Sequence, residues 1–239
     1  MKKVSPYGNM YSFLTHTWTP VRGACPYGCS YCYVNNWGNN HKPLHLDEKE
    51  LRAIQGEGNF IFVCSGCDLF HPQVKKEWIE LVLKKTRDYP KNKYLWHTKN
   101  PARVFEFREW FDLWSGIDDV LCVTVESNIP WPDISKAPQP YERIQYLKQW
   151  ENKRMITVEP IMDFDFMTFF EMIISCDPEQ VNIGADSGNN NLPEPSREKI
   201  RDLINKLASR TKVHLKKNLR RILPEHRLYA KTESVQPVG

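Results

Sequence analysis

Gly23-Ala24-Cys25-Pro26-Tyr27-Gly28-Cys29-Ser30-Tyr31-Cys32-Tyr33 places three cysteines at spacing C-x3-C-x2-C within eight residues. A disulfide consumes cysteines in pairs, so three leave one over. A closed structural zinc site takes four nitrogen or sulfur ligands. Three thiolates on one short loop suit a cubane iron–sulfur cluster with one iron left open, because four thiolates normally close a [4Fe–4S] site. The missing fourth ligand leaves a coordination position for another group.

Around this loop the chain alternates short apolar runs with amphipathic stretches. Ser12 to Trp18 reads as a first strand, directly before the cysteines. Asp47 reads as a helix N-cap, with Glu50 three residues on completing a capping box and a helix running to about Gln55. Phe60 to Cys64 is a short apolar run bounded by turn signals, hence a buried strand. Gln73 to Asp88 sets Trp78, Ile79, Val82 and Leu83 on one helical face. Tyr94–His97, Val120–Val125, Arg154–Val158, Gln180–Ile183 and Lys212–Leu215 read as further strands. Helices are expected from Pro101 through Trp114, Tyr141 to Trp150, Phe164 to Ser175, and from a Ser196 cap to Ser209. Strands alternating with helices of this length give parallel βαβ units in an α/β fold. Six units and a terminal strand suit a partial barrel, with a doubly wound open sheet as the alternative. Both architectures place ligands at the carboxyl ends of the strands.

The whole chain sets the bounds. It has 239 residues, 41% hydrophobic and 26% charged, as expected of a soluble globular protein. No stretch approaches the ~20 apolar residues of a membrane span, so no membrane partner is expected. The N-terminal residues carry no apolar signal-peptide core. Seven cysteines, with no paired framework, suit a reducing cytoplasm. Net charge is only +4, but Arg210 to Lys231 holds eight Lys/Arg against Glu225, a segment able to track phosphates or simply to stay solvated.

The strand ends carry the polar chemistry: Ser65-Gly66-Cys67-Asp68, Thr98-Lys99-Asn100, Glu126-Ser127-Asn128, Glu159 and Asp186-Ser187. In either architecture these converge with Cys25, Cys29 and Cys32 on one mouth. Cys64, Cys122 and Cys176 read as small buried hydrophobes. His16 and His71 are candidate mouth residues, and His41 and His45 lack enough neighbours for zinc. Trp18, Trp37, Trp96 and Trp131 are candidate base-stacking rings, and the loop Asn35 to Pro43 a candidate lid.

The cysteine spacing, with these strand ends in order, resembles the radical S-adenosylmethionine (SAM) superfamily. The ordered set from His16-Thr17-Trp18-Thr19-Pro20-Val21-Arg22-Gly23 through Glu159-Pro160 to Gly184-Ala185-Asp186-Ser187-Gly188 is similar to a compact phage- and prophage-borne family of that type, without an agreed reaction. It departs from that family's pattern at Gly66-Cys67 and Ala185-Asp186. Tyr31-Cys32-Tyr33 and Thr98-Lys99 more loosely resemble spore photoproduct lyase, which acts on thymine dimers in DNA. The resemblance implies an incomplete (β/α)6 TIM-like barrel with a short terminal strand over residues 1–218, and a basic C-terminal segment over 219–239. It implies Cys25, Cys29 and Cys32 as ligands of a [4Fe–4S] cluster whose open iron binds SAM. Reductive cleavage of SAM would yield a 5′-deoxyadenosyl radical that abstracts hydrogen from a substrate.

A SAM site needs acceptors for the methionine ammonium, for which Asp68 and the Ser65 and Gly66 carbonyls qualify. Lys99 suits the carboxylate, Glu126 and Asn128 the ribose hydroxyls, and Tyr31 the adenine, with Glu159 completing the site. Cys67 and Tyr33 are the candidates for hydrogen-atom relay. The implied partners are an electron donor of flavodoxin or ferredoxin type, or a chemical reductant, and a nucleic acid or nucleotide substrate. The location would be the cytoplasm, that of a bacterial host if the chain is phage-encoded. Two competing classes remain: a nucleic-acid-binding module with a structural metal, and an iron–sulfur redox or sensor protein.

Overall fold

The computed structural model describes residues 1–36, 42–112 and 118–224. Trp37, His41, most of the expected lid, Trp114 and the tail from 225 onward lie outside the described residues.

Among the described residues there are ten strands: β1 (Lys2–Lys3), β2 (His16–Trp18), β3 (Val21–Arg22), β4 (His45–Leu46), β5 (Phe60–Val63), β6 (Lys93–Thr98), β7 (Asp118–Thr124), β8 (Lys153–Val158), β9 (Gln180–Ile183) and β10 (Lys212–Leu215). Eight of them form one sheet in the order β1-β2-β5-β6-β7-β8-β9-β10. From β2 to β10 every neighbouring pair is parallel, and only β1 runs antiparallel. The strand order never reverses, so the sheet is singly wound and the doubly wound alternative is corrected. β3 and β4 make a separate antiparallel ribbon beside the cysteine loop.

The helices are α1 (Glu48–Leu51), α2 (Lys76–Arg87), α3 (Pro101–Val104), α4 (Arg108–Asp112), α5 (Pro140–Lys148), α6 (Phe166–Ile174) and α7 (Arg197–Ala208). Ile79, Val82 and Leu83 of α2 and Ile200, Leu203, Ile204 and Leu207 of α7 are buried against the outer face of the sheet in one large core. The inner face is different. Tyr11, Phe62, Leu95, Val120, Cys122 and Met155 form a smaller second cluster beneath the strand ends.

Three expectations are corrected. The helix after Asp47 stops at Leu51 rather than Gln55. Asp47 does accept from the Glu50 amide at 3.0 Å, but Glu50 does not complete a capping box. Its carboxylate is taken by the Met1 ammonium at 2.7 Å and Arg22 at 3.6 Å. The helix after Pro101 is interrupted by a 3-10 turn at Phe105–Phe107.

Candidate functional site

The cysteine loop is held in place from two sides. At its start, Gly23 has φ +117°, and a side chain there would meet the Pro43 carbonyl at 2.5 Å, so only glycine lets the two segments approach. Ala24 N–H then donates to the Lys42 carbonyl at 2.9 Å. Within the loop, Gly28 N–H donates to Cys25 O and Cys32 N–H to Cys29 O, at 3.2 and 3.0 Å. From the other side, the segment after β7 supplies two backbone bonds. Ser30 N–H donates to Ile134 O at 2.9 Å and Lys136 N–H to Tyr27 O at 3.0 Å.

The loop forms one wall of a cavity of about 380 Å3. Cys25, Cys29, Cys32, Tyr31 and Tyr33 line it, together with Ser65, Gly66, Cys67, Asp68, Lys99 and Glu159. All of these were named from the sequence. The lining also includes Tyr11, His97, Thr157, Asp186 and Lys216. Of these, only Asp186 was named, and Tyr11, His97, Thr157 and Lys216 were missed, although Lys216 follows its strand by the same rule that found Lys99.

Glu126 stands behind this wall, 3% exposed, and lines a small pocket of about 20 Å3 instead. Arg143 of α5 donates to its Oε2 at 2.8 Å, Lys99 Nζ lies 3.7 Å from Oε1, and the Tyr31 hydroxyl donates to Oε1. Burial would raise the Glu126 pKa, but Arg143 and Lys99 outweigh it and hold the carboxyl down to about 2. Lys99 is the converse case. Burial pulls it down, but Cys29 and Glu126 lift it overall, so its ammonium stays charged, 5.4 Å from the centre of the Tyr31 ring. Burial and then the neighbouring Glu126 charge push the Tyr31 phenol well up.

Asp68 is already committed. Its Oδ1 accepts from Phe70 N–H at 3.0 Å and from the Thr98 hydroxyl at 2.8 Å, and its Oδ2 from Lys99 N–H at 2.8 Å. These bonds tie the turn after β5, whose Ser65 and Gly66 line the cavity, to the end of β6. Tyr33 donates to the Ser65 carbonyl. Asn128, expected at the ribose, is outside the cavity lining: its Oδ1 accepts from Asp165 N–H at 2.9 Å and braces the start of α6. Glu159 accepts from Asn218 at 2.8 Å and pairs with Lys216.

All seven cysteines are free thiols. The Cys67 thiol donates to the Asp68 carbonyl at 3.7 Å, and its interaction with Cys25 pulls Cys25 down to about 7 and pushes Cys67 up. Burial raises Cys32. Cys64 and Cys122 are fully buried and pushed up to about 12, and Cys176 to about 11, so they stay protonated core residues. Among the described residues, no three His, Cys, Asp or Glu side chains converge tightly enough for a single metal ion. Three loop thiols that line one cavity match the chemistry of a cubane, whose irons each take a separate thiolate, and Lys99 beside Cys29 suits an anionic thiolate set.

The remaining candidates lie elsewhere. His71 is 6% exposed, packs edge-on against Tyr27 at 4.3 Å and accepts from Gln73 N–H, away from the cavity. His16 bonds to Thr15 at 3.0 Å and does not line the cavity. Trp18 and Trp96 are 0% and 1% exposed, so neither presents a face to a base, and Trp131 lines the small pocket. No helix of the described residues is long and apolar enough to cross a membrane.

Three solved structures share this fold at low identity. SuiB of Streptococcus suis bound to S-adenosylmethionine superposes with a TM-score of 0.61 at 12% identity, over 90% of this chain and 54% of that one. A spore photoproduct lyase mutant gives 0.55 at 9% identity, over 88% and 66%. Spore photoproduct lyase complexed with dinucleoside spore photoproduct gives 0.53 at 8% identity, over 85% and 64%. The chain thus spans between 54% and 66% of these structures' own lengths. No curated protein gives a significant sequence match. Residues 9–206 match the family described as "Protein of unknown function (DUF5131)", and the chain belongs to that family.

Proposed function

We propose that the chain is a radical-SAM enzyme in which Cys25, Cys29 and Cys32 hold a [4Fe–4S] cluster and the strand-end residues hold S-adenosylmethionine. The observation that carries this reading is the convergence of three free loop thiols with Ser65, Gly66, Asp68, Lys99 and Glu159 on one cavity of about 380 Å3. The shared fold with a SAM-bound structure supports it. On this reading the sheet is an incomplete (β/α)6 barrel over residues 1–218, followed in sequence by a basic C-terminal segment and tail over 219–239.

When bound, the cluster and SAM would supply one-electron cleavage of the sulfonium and hydrogen-atom abstraction from a substrate carbon. The chain's own residues do the rest. Lys99 faces the cavity as a buried cation and pairs with the SAM carboxylate. The Ser65 and Gly66 carbonyls, in the turn tied down by Asp68, accept from the methionine ammonium. Tyr31, pinned by its bond to Glu126, offers a fixed ring to the adenine. Glu126 serves the ribose only by way of that ring, and Asn128 by bracing α6. Glu159 closes the opposite side with Lys216. Tyr27, Val34, Phe62 and Met10 keep the cavity wall apolar and exclude water from a reactive intermediate. Cys67 and Tyr33, both on the cavity, are the groups placed to relay a hydrogen atom.

A nucleic acid or nucleotide substrate is favoured by the fold shared with spore photoproduct lyase in complex with its dinucleoside, and by the basic segment after Arg210. The electron would come from a flavodoxin- or ferredoxin-type donor in the cytoplasm, that of the bacterial host in the phage-borne case.

Anaerobic reconstitution tests the proposal. The expected result is an iron–sulfur absorption band, with 5′-deoxyadenosine released on adding SAM and a reductant. Stoichiometric zinc without SAM cleavage would favour the metal-stabilised binding module, and a cluster without deoxyadenosine the redox or sensor protein. Either outcome sinks the enzyme. Deuterium passing from a labelled nucleotide pool into 5′-deoxyadenosine would identify the substrate.

A further inference from the structure

Cys29 has a neighbour that its own loop does not supply. The Ser135 hydroxyl, 106 positions away in sequence, lies 3.0 Å from the Cys29 sulfur. The same Ser135 oxygen accepts the Ala137 N–H at 3.2 Å. That bond occupies a lone pair and leaves the hydroxyl proton free to point at the sulfur. A ligating sulfur is a thiolate with no proton to give, so Ser135 is the donor.

The placement is built rather than incidental. Ser30 N–H to Ile134 O and Lys136 N–H to Tyr27 O bracket Ser135 on both sides, so the backbone on either flank is fixed to the cysteine loop. Cys29 is only 7% exposed, so little water competes for its sulfur. A hydrogen bond in such surroundings is stronger than in water.

We propose that Ser135 is a positioning residue that donates a hydrogen bond to the Cys29 sulfur and so raises the reduction potential of the cluster. The proposal rests on Cys29 being a cluster ligand. Hydrogen bonds to the sulfurs are one of the levers that set such potentials. Reduction adds one electron to the cluster and removes one from a flavodoxin- or ferredoxin-type donor, and Ser135 keeps its proton throughout. The reduced cluster carries more negative charge on its sulfurs, so the donated bond stabilises it more than the oxidised form. The segment after β7 thereby makes the cluster easier to reduce without touching iron.

The test compares Ser135→Val with Ser135→Thr, which have nearly the same shape and differ in the hydroxyl. Each reconstituted protein is titrated with reductant and followed by electron paramagnetic resonance, and its iron is counted. Ser135→Val should lower the reduction equilibrium constant about threefold to tenfold, up to about 59 mV for one electron. Ser135→Thr should keep the wild-type potential. If Ser135→Val loses its iron while Ser135→Thr retains it, the hydroxyl holds the cluster in place rather than tuning it, and the proposal falls. Equal potentials in wild type and Ser135→Val, or equal losses in Val and Thr, overturn it. A wild-type chain that takes up no cluster would instead refute the assignment of Cys29 as a ligand.

Discussion

Glu126→Gln is the sharpest test of the buried charge network. The substitution keeps the shape and removes the charge that Arg143 and Lys99 share, leaving two buried cations without a counter-ion. The carboxyl is held from an ordinary 4.5 down to about 2. At about 1.36 kcal/mol per unit, that is roughly 3 kcal/mol of folding stability at pH 7. Removal of one partner from a buried ion pair costs about 3–5 kcal/mol in other proteins, which agrees. Because the folded pKa is depressed, the contribution is present above pH 4.5 and is lost as pH falls through about 2. At pH 3 about half or less should remain, roughly 1.5 kcal/mol. His97, lowered to about 3 by burial and by Lys99 and Lys216 against an opposing pull from Glu126, also makes the fold acid-sensitive in both chains. The assay is urea unfolding of the metal-free chain, followed by tryptophan fluorescence. With an m-value of about 3 kcal/mol/M, the variant's midpoint at pH 7 should fall by about 1 M. Equal midpoints at pH 7, or a gap that does not narrow toward pH 3, would refute the account of Glu126 as a charge held by Arg143 and Lys99.

Other substitutions test the remaining parts. Cys29→Ala should abolish the iron–sulfur band and SAM cleavage, while Cys122→Ala, which removes only a buried thiol beside Thr157 at 3.3 Å, should spare both. Gly184→Ala would place a methyl 2.7 Å from Glu159 Oε1, displacing that carboxylate from Lys216, and should cost about 1–3 kcal/mol by thermal unfolding. Cys64 has φ +56°, so Cys64→Val should destabilise by about 1–2 kcal/mol more than Cys64→Ala, read from urea midpoints. Tyr31→Phe keeps the ring but loses the bond to Glu126, and should cost about 1.5–3 kcal/mol in stability. Calorimetry should show Tyr31→Phe weakening SAM binding less than Tyr31→Ala.

The sequence was legible where local pattern and geometry coincide. Gln180–Ile183 and Lys212–Leu215 were found with their observed bounds, because each is a short run between clear turn signals. The strand ends named the greater part of the cavity wall for the same reason, since parallel strands aim their carboxyl ends one way. The misses come from distant partners. Nothing near Glu50 announces that Arg22 and the N-terminal ammonium will take its carboxylate. Nothing near Glu126 announces Arg143, which draws it behind the wall. Asn128 sits at a strand end like the others, yet Asp165 claims it. Ser135 stands in a Pro-rich loop with no signal of its own, and only the fold brings it to Cys29.

The unreversed strand order has a consequence for how such a chain can change. Position along the gene maps onto position around the rim. Cys25, Cys29 and Cys32, Ser65 to Asp68, and Lys99 follow β2, β5 and β6 and are encoded first, while Glu159, Asp186 and Lys216 follow β8, β9 and β10 and are encoded last. One recombination event between α5 and β8 would therefore exchange one group and leave the other whole. A lineage can trade one part of the cavity lining in a single crossover while inheriting the thiol-bearing part untouched.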